Sequence, residues 1–109
     1  MQKTVIINAH VISPDVDIRN ATIEIVGSKI KSVTSGKVSR PSSKVLKPGD
    51  TVVDVKGQYV MPGFIDVHTH GALGYDFCDA DPKAIFEFAK AKLEEGVTTV
   101  LPTTLTVSH

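Results

Sequence analysis

Tryptophan is absent from this 109-residue chain, and its aromatic residues are four Phe and two Tyr. So few rings cannot build the stacking platform on which single-stranded nucleic acid is bound. Cysteine occurs once, at Cys78, which excludes an internal disulfide framework and fits a reducing compartment. An excess of one charge is missing too, since 12 Lys and Arg offset 12 Asp and Glu. A general nucleic-acid binder or a polybasic membrane clamp needs a positive surplus. No apolar run approaches the roughly 20 residues of a membrane span. Val5-Ile6-Ile7 is interrupted by Asn8 and His10, too soon for a signal-peptide core. The expectation is a soluble, cytoplasmic protein without a nucleic-acid or membrane partner.

What is present has a globular balance, 41% hydrophobic and 22% charged, in about one small domain's length of chain. The first half reads as β. Thr4 to Ile12 and Ala21 to Val33 are rich in Val, Ile and Thr, with turn residues at Ser13-Pro14-Asp15. Gly27-Ser28 fits a two-residue hairpin turn, and a further strand is expected from Thr51 to Val55, closed by Gly57. The stretch from Ser32 to Asp50, with Lys37, Arg40, Lys44 and Lys47, reads as a solvated loop; a basic binding patch is the alternative.

The second half changes character. Tyr59 to Val67 is a nearly continuous apolar run, the pattern of a strand covered on both faces. Asp81 followed by Pro82 predicts a helix start. Ile85, Phe86, Phe88, Ala89 and Leu93 recur at helical spacing, and Gly96 suits the helix end. Val97 to Leu101 is a second β-branched strand. Strand, helix and strand in this order form a βαβ unit with parallel strands. The fold class expected is α/β.

The chemistry concentrates in Pro62-Gly63-Phe64-Ile65-Asp66-Val67-His68-Thr69-His70-Gly71. Alternation along a strand places Asp66, His68 and His70 in one row and Ile65, Val67 and Thr69 in the other. A carboxylate and two imidazoles in a buried row need a reason, and a divalent cation supplies one. His68 and His70 are the candidate metal ligands, with Asp66 as an acceptor that could orient an imidazole. A His-x-His alone also arises by chance, but here it ends a buried parallel strand, where α/β folds bind ligands. Imidazole suits Zn, Fe, Co and Ni alike. His10 and His109 lie outside the row and read as non-functional. Cys78 has no basic neighbour to activate its thiol.

Pro62 to His70 resembles the first-barrel-strand signature of the amidohydrolase superfamily of metal-dependent hydrolases. The segments around Gly27-Ser28-Lys29-Ile30 and Val53 to Met61 resemble the small β-sandwich domain that precedes its barrel. Gly71-Ala72-Leu73-Gly74-Tyr75-Asp76 and Gly96 to Thr106, with Leu101-Pro102-Thr103-Thr104-Leu105-Thr106, are similar to the N-acetylglucosamine-6-phosphate deacetylase family. The resemblance implies part of a β-sandwich over residues 1–57. Over residues 58–109 it implies the first βα unit and second strand of a (β/α)8 barrel. It also implies a divalent metal, Zn first with Fe, Co, Ni or Mn as alternatives, held by His68 and His70. The implied reaction removes acetate from an amino-sugar phosphate in amino-sugar catabolism, and the implied assembly is a homodimer. Some deacetylases of this kind lack both histidines and use one metal, so their presence points to a second metal position. Gly71 and Gly74 would let the loop approach the sugar. Thr103 and Thr104 would lie near the substrate or serve as hydrogen-bonded loop residues.

A barrel of this kind takes about 250 residues. The expectation is therefore an N-terminal piece of a longer enzyme, inactive alone, with the general acid/base Asp beyond residue 109 and Ser108 capping the next helix. Another amidohydrolase, such as a dihydroorotase- or hydantoinase-like cyclic amide hydrolase, is the alternative within the enzymes. A non-catalytic structural module is the alternative outside them. The open strand edges predict association of the isolated chain.

Overall fold

Two long strands, β1 (Lys3–Ser13) and β2 (Val16–Val26), run antiparallel around a turn at Pro14-Asp15, where Asp15 takes a positive φ of 61°. In the computed structural model, which describes residues 2–37 and 46–106, they begin the first of two units, Met1–Pro62 and Gly63–His109. Gly27-Ser28 turns β2 into β3 (Lys29–Ser35), as the sequence predicts. The second strand begins at Val16, earlier than the sequence pattern indicates, because Val16, Asp17 and Ile18 pair with Ser13, Ile12 and Val11. The loop expected from Ser32 in turn begins later, since Ser32 to Ser35 belong to β3. Lys37 and Lys47 are described; Arg40, Lys44, Ser108 and His109 lie outside the described residues.

β1 is the spine of this sheet. β4 (Thr51–Asp54) pairs parallel with Thr4 to Ile7, and β5 (Tyr59–Val60) pairs parallel with His10 and Val11. The two fit end to end because β1 bulges between them. From Ile6 to Ala9 it advances three residues while β2 advances two, Ile23 to Ala21. Asn8 takes the left-handed conformation there, φ 57°, which Asn tolerates better than most residues. Its side-chain amide donates to Asp54 Oδ1 at 3.0 Å, and its carbonyl accepts from Gly57 N at 2.7 Å. The extra residue reverses the facing parity, so Ile6 rather than Ile7 joins the core of Ala9, Val11, Ala21 and Ile23. The sheet order is β3-β2-β1-β4, with β5 also on β1. A second packed sheet, as a sandwich requires, is not found among the described residues.

The apolar run from Tyr59 to Val67 is not one strand. β5 belongs to the first unit and β6 (Phe64–Thr69) to the second, so the division falls after Pro62 rather than after Gly57. Pro62 has no N–H to give a ladder. A Cβ on Gly63 would overlap the Thr98 side chain, so only glycine fits there.

In the second unit β6 lies parallel to β9 (Val97–Pro102). Between them come a hairpin of β7 (Gly71–Ala72) and β8 (Tyr75–Asp76), a 3-10 turn at Phe77–Asp79, and α1 (Pro82–Glu94). Asp81 caps α1 by accepting from Lys83 N at 3.0 Å, Pro82 takes the first turn, and Gly96 follows with φ 84°. The helix packs against β7, β8 and β9, its buried residues are Ala84 and Phe88, and the Phe88 ring meets Phe77 edge-on at 4.6 Å. Of the apolar residues at helical spacing, Ile85, Phe86 and Leu93 are exposed. β6 is likewise not covered on both faces: Ile65 is 63% and Val67 69% exposed. Its one ladder partner among the described residues is β9.

Candidate metal centre

β6 carries the candidate ligands and departs from regular alternation where they begin. Between Asp66 and Thr69 it advances three residues while β9 advances two, from Val100 to Pro102. One residue is therefore extra at Val67-His68. A bulge of this kind re-aims a side chain and leaves a backbone N–H without its ladder partner. Asp66 Oδ1 accepts that N–H of His68 at 3.3 Å. The row of Asp66, His68 and His70 expected from simple alternation is thus broken at its first member. The Asp66 carboxylate holds the His68 backbone and, 3.4 Å away, the Lys92 ammonium of α1, rather than an imidazole nitrogen.

The two imidazoles converge. His68 Nε2 and His70 Nε2 lie 3.1 Å apart, with the rings nearly perpendicular at 84°. His70 is fixed from behind: its Nδ1 is 2.9 Å from the Thr103 carbonyl oxygen. A carbonyl only accepts, so the proton sits on Nδ1 and Nε2 presents its lone pair forward. The backbone on either side is tied down as well. His70 O accepts from Phe77 N at 2.9 Å, and Thr69 O accepts from Thr103 N at 2.8 Å. Thr69 is buried, His70 half-buried and His68 exposed.

This donor set fits a divalent cation. Two nitrogens 3.1 Å apart, each about 2.0–2.1 Å from one ion, subtend roughly 100° at it, between octahedral and tetrahedral angles. Among the described residues no group of three or more His, Cys, Asp or Glu forms a metal site, so these imidazoles supply a pair of ligands and not a closed shell.

The remaining candidates take structural places. Gly71 is required because a Cβ there would overlap the Tyr75 carbonyl across the hairpin, and Gly74 because its φ is 81° in the turn. Leu73 shares that turn at φ 52° and is 78% exposed. Thr103 contributes its backbone to His70, while its hydroxyl donates to Leu101 O at 3.3 Å; Thr104 is exposed. The Cys78 sulfur accepts from Leu105 N at 3.3 Å, which ties the 3-10 turn to the segment after β9. Asp76 caps that turn through Cys78 N at 2.7 Å. That bond, with the Cys78 thiol, holds its carboxyl below the ordinary 3.8. His10 lies in the first unit, paired with Asp17 at 2.7 Å and against the Tyr59 ring.

Lys92 and the Thr103 carbonyl are the partners that periodicity does not reveal. Lys92 stands in the last turn of α1, and its side chain is only 16% exposed. Its ammonium also meets Glu95 at 3.0 Å. The Glu95 hydrogen bond, then that to Asp66, raise its pKa above the ordinary 10.5 against the opposing cost of desolvation.

No family model matches the chain. It is 34% identical over 93 residues to N-acetylglucosamine-6-phosphate deacetylase of Bacillus subtilis (strain 168), covering 84% of this chain and 22% of that protein. It is 35% identical over 102 residues to dihydroorotase of Elusimicrobium minutum (strain Pei191), covering 90% of this chain and 20% of that protein. The crystal structure of N-acetylglucosamine-6-phosphate deacetylase from Pasteurella multocida superposes with a TM-score of 0.78 at 21% identity. That match covers 97% of this chain and 26% of that one. The chain thus spans about a fifth to a quarter of the length of the relatives it matches. No helix among the described residues is long and apolar enough to cross a membrane.

Proposed function

We propose that this relative of N-acetylglucosamine-6-phosphate deacetylases supplies two metal ligands, His68 and His70, to a hydrolase that removes acetate from N-acetylglucosamine 6-phosphate. The observation that carries the reading is the 3.1 Å approach of the two Nε2 atoms, with His70 oriented by the Thr103 carbonyl. A bound divalent cation, Zn first, would supply Lewis-acid polarisation of the acetamide carbonyl and acidify the attacking water. The chain's own residues prepare for that. Thr103 holds the His70 proton on Nδ1, so Nε2 is free to ligate. The His68 bulge turns the second Nε2 toward the first. The further ligands and the aspartate that shuttles the proton to the leaving amine come from a part of the enzyme outside the described residues. On this reading β6, α1 and β9 open a (β/α)8 barrel, with both imidazoles at the C-terminal end of its first strand. The working enzyme is a homodimer, metal-dependent and cytoplasmic.

A cyclic amide hydrolase is the second reading, favoured by the 35% identity to a dihydroorotase. Both reactions hydrolyse an amide, and the described residues favour the first through the similarity of Gly71 to Asp76 and of Gly96 to Thr106 to the deacetylase family.

Acetate release from N-acetylglucosamine 6-phosphate by the complete enzyme, with Zn2+ supplied, tests the proposal. Turnover should vanish on chelation. It should fall at least about 100-fold in His68→Ala and His70→Ala, the upper end of what loss of a ligand-orienting group costs. Ring opening of dihydroorotate without acetate release would replace the first reading by the second.

A further inference from the structure

His68 sits on an irregular piece of strand, and an irregularity persists only where its surroundings hold it. Its backbone N–H has left the β6–β9 ladder and bonds to Asp66 Oδ1 at 3.3 Å. That acceptor is a short side chain two residues back, free to rotate unless its other oxygen is held. Lys92 holds it: Nζ lies 3.4 Å from Asp66 Oδ2. Lys92 sits in the last turn of α1, a helix anchored by Phe88 and Ala84 in the unit's interior. The contacts therefore run from a rigid helix through an ammonium and a carboxylate to the backbone of one imidazole of the metal pair.

We infer that Lys92 is a positioning residue for His68, clamping Asp66 so that the β6 bulge presents the His68 imidazole to His70. The inference rests on the reading of the two imidazoles as metal ligands and adds a remote control of their geometry. Glu95 competes for the same ammonium at 3.0 Å, but its side chain is 59% exposed. Exposed ion pairs of that kind are weak and screened by salt. Removing the Glu95 charge should then tighten the clamp, whereas removing Lys92 should release it.

Two measurements on the full chain separate this inference from the metal reading. In the metal-free protein, amide exchange at His68 should quicken about tenfold in Lys92→Met, as local opening becomes easier. It should stay within about twofold of the parent in Lys92→Arg, which keeps the cation, and should slow in Glu95→Gln. In Zn2+ titrations by calorimetry, Lys92→Met should weaken His68-dependent binding about tenfold, the lower end for an outer-shell partner. His68 exchange and Zn2+ affinity both unchanged in Lys92→Met would overturn the inference. Should His68→Ala leave Zn2+ affinity untouched, the metal reading fails and the exchange rates alone decide the role of Lys92. Should Lys92→Met not fold, unchanged His68 exchange in Glu95→Gln would refute the clamp.

Discussion

The two units use similar residues and bury them differently. In the first, Val5, Ile7, Ala9, Val11, Ala21 and Ile23 all reach the interior. In the second, Ala84 and Phe88 are the buried hydrophobic residues among those described, while Phe64, Ile65, Val67, Phe86 and Leu93 face outward. Neighbours make the difference. β1 has β2 on one side and β4 with β5 on the other, so its side chains meet a continuous surface. β6 has β9 alone among the described residues, and α1 packs on β7, β8 and β9. A β-branched pattern therefore marks residues suited to burial, and what packs beside and over each strand decides which of them are buried.

The sharpest way to break this comparison lies on α1, where two phenylalanines two residues apart have opposite surroundings. Phe88 is 2% exposed and Phe86 66%. Phe88→Ala should cost about 3–5 kcal/mol, through lost transfer energy and the cavity left against Phe77. Phe86→Ala should stay within about 0.5 kcal/mol. Urea denaturation followed by circular dichroism measures both. Equal costs would mean that the second unit has no interior face of its own.

Next in size is the outward face of β6. Ile65 and Val67 expose large aliphatic side chains beside a strand edge that has no ladder partner among the described residues, a combination that promotes association. Sedimentation of the chain should therefore depend on concentration. The double change Ile65→Ser with Val67→Ser should move the association midpoint at least about tenfold higher, the effect of roughly 1.4 kcal/mol of lost apolar contact. Circular dichroism should be unchanged. A concentration-independent monomer in the parent would show that these side chains do not drive contact, and would bring the second unit closer to the first.

How far the sequence reveals each unit follows the same division. Local signals are accurate where the physics is local: the Gly27-Ser28 hairpin turn, the Asp81 cap with Pro82, and Gly96 after the helix all appear where expected. The parallel pairing of β6 with β9 follows from strand–helix–strand order alone. The misses are non-local. The bulges at Asn8 and at Val67-His68 are not legible, because each depends on what the partner strand does. At Asn8 the partner is β2, and the strands on the other side of β1, β4 and β5, are brought from more than forty residues away in sequence, as the Asn8–Asp54 bond shows. At Asp66 to Thr69 the partner is β9, with Lys92 of α1 as the second contact. The same bulge makes alternation a partial guide to the candidate site: it groups His68 with His70 and misassigns Asp66. The partner of His70 escapes periodicity altogether, because a main-chain carbonyl such as that of Thr103 carries no residue-type signature.

The smallest effect expected is one of pH, and it tests whether the Asn8 bulge organises the first unit as the Asp66 contact organises the second. The Asn8 side-chain amide, then the Lys56 backbone N–H, hold the Asp54 carboxyl below its ordinary value of 3.8, against a smaller cost of desolvation. A carboxyl whose pKa is lowered by folding stabilises the native state fully above its unfolded value, and that contribution is lost as pH falls through the folded value. The window therefore lies below pH 3.8. Asp54→Asn should lower the denaturation midpoint at pH 6, and the gap to the parent should narrow as both are taken toward pH 2. Asn8→Ala removes the first of these donors, so it should reduce the parent's loss of stability over the same interval. A gap that is constant with pH would separate Asp54 from the bulge. The join between β4 and β5 would then rest on backbone bonds, from Val55 N to Ile7 O, Gly57 N to Asn8 O, Gln58 N to Val55 O and His10 N to Gln58 O.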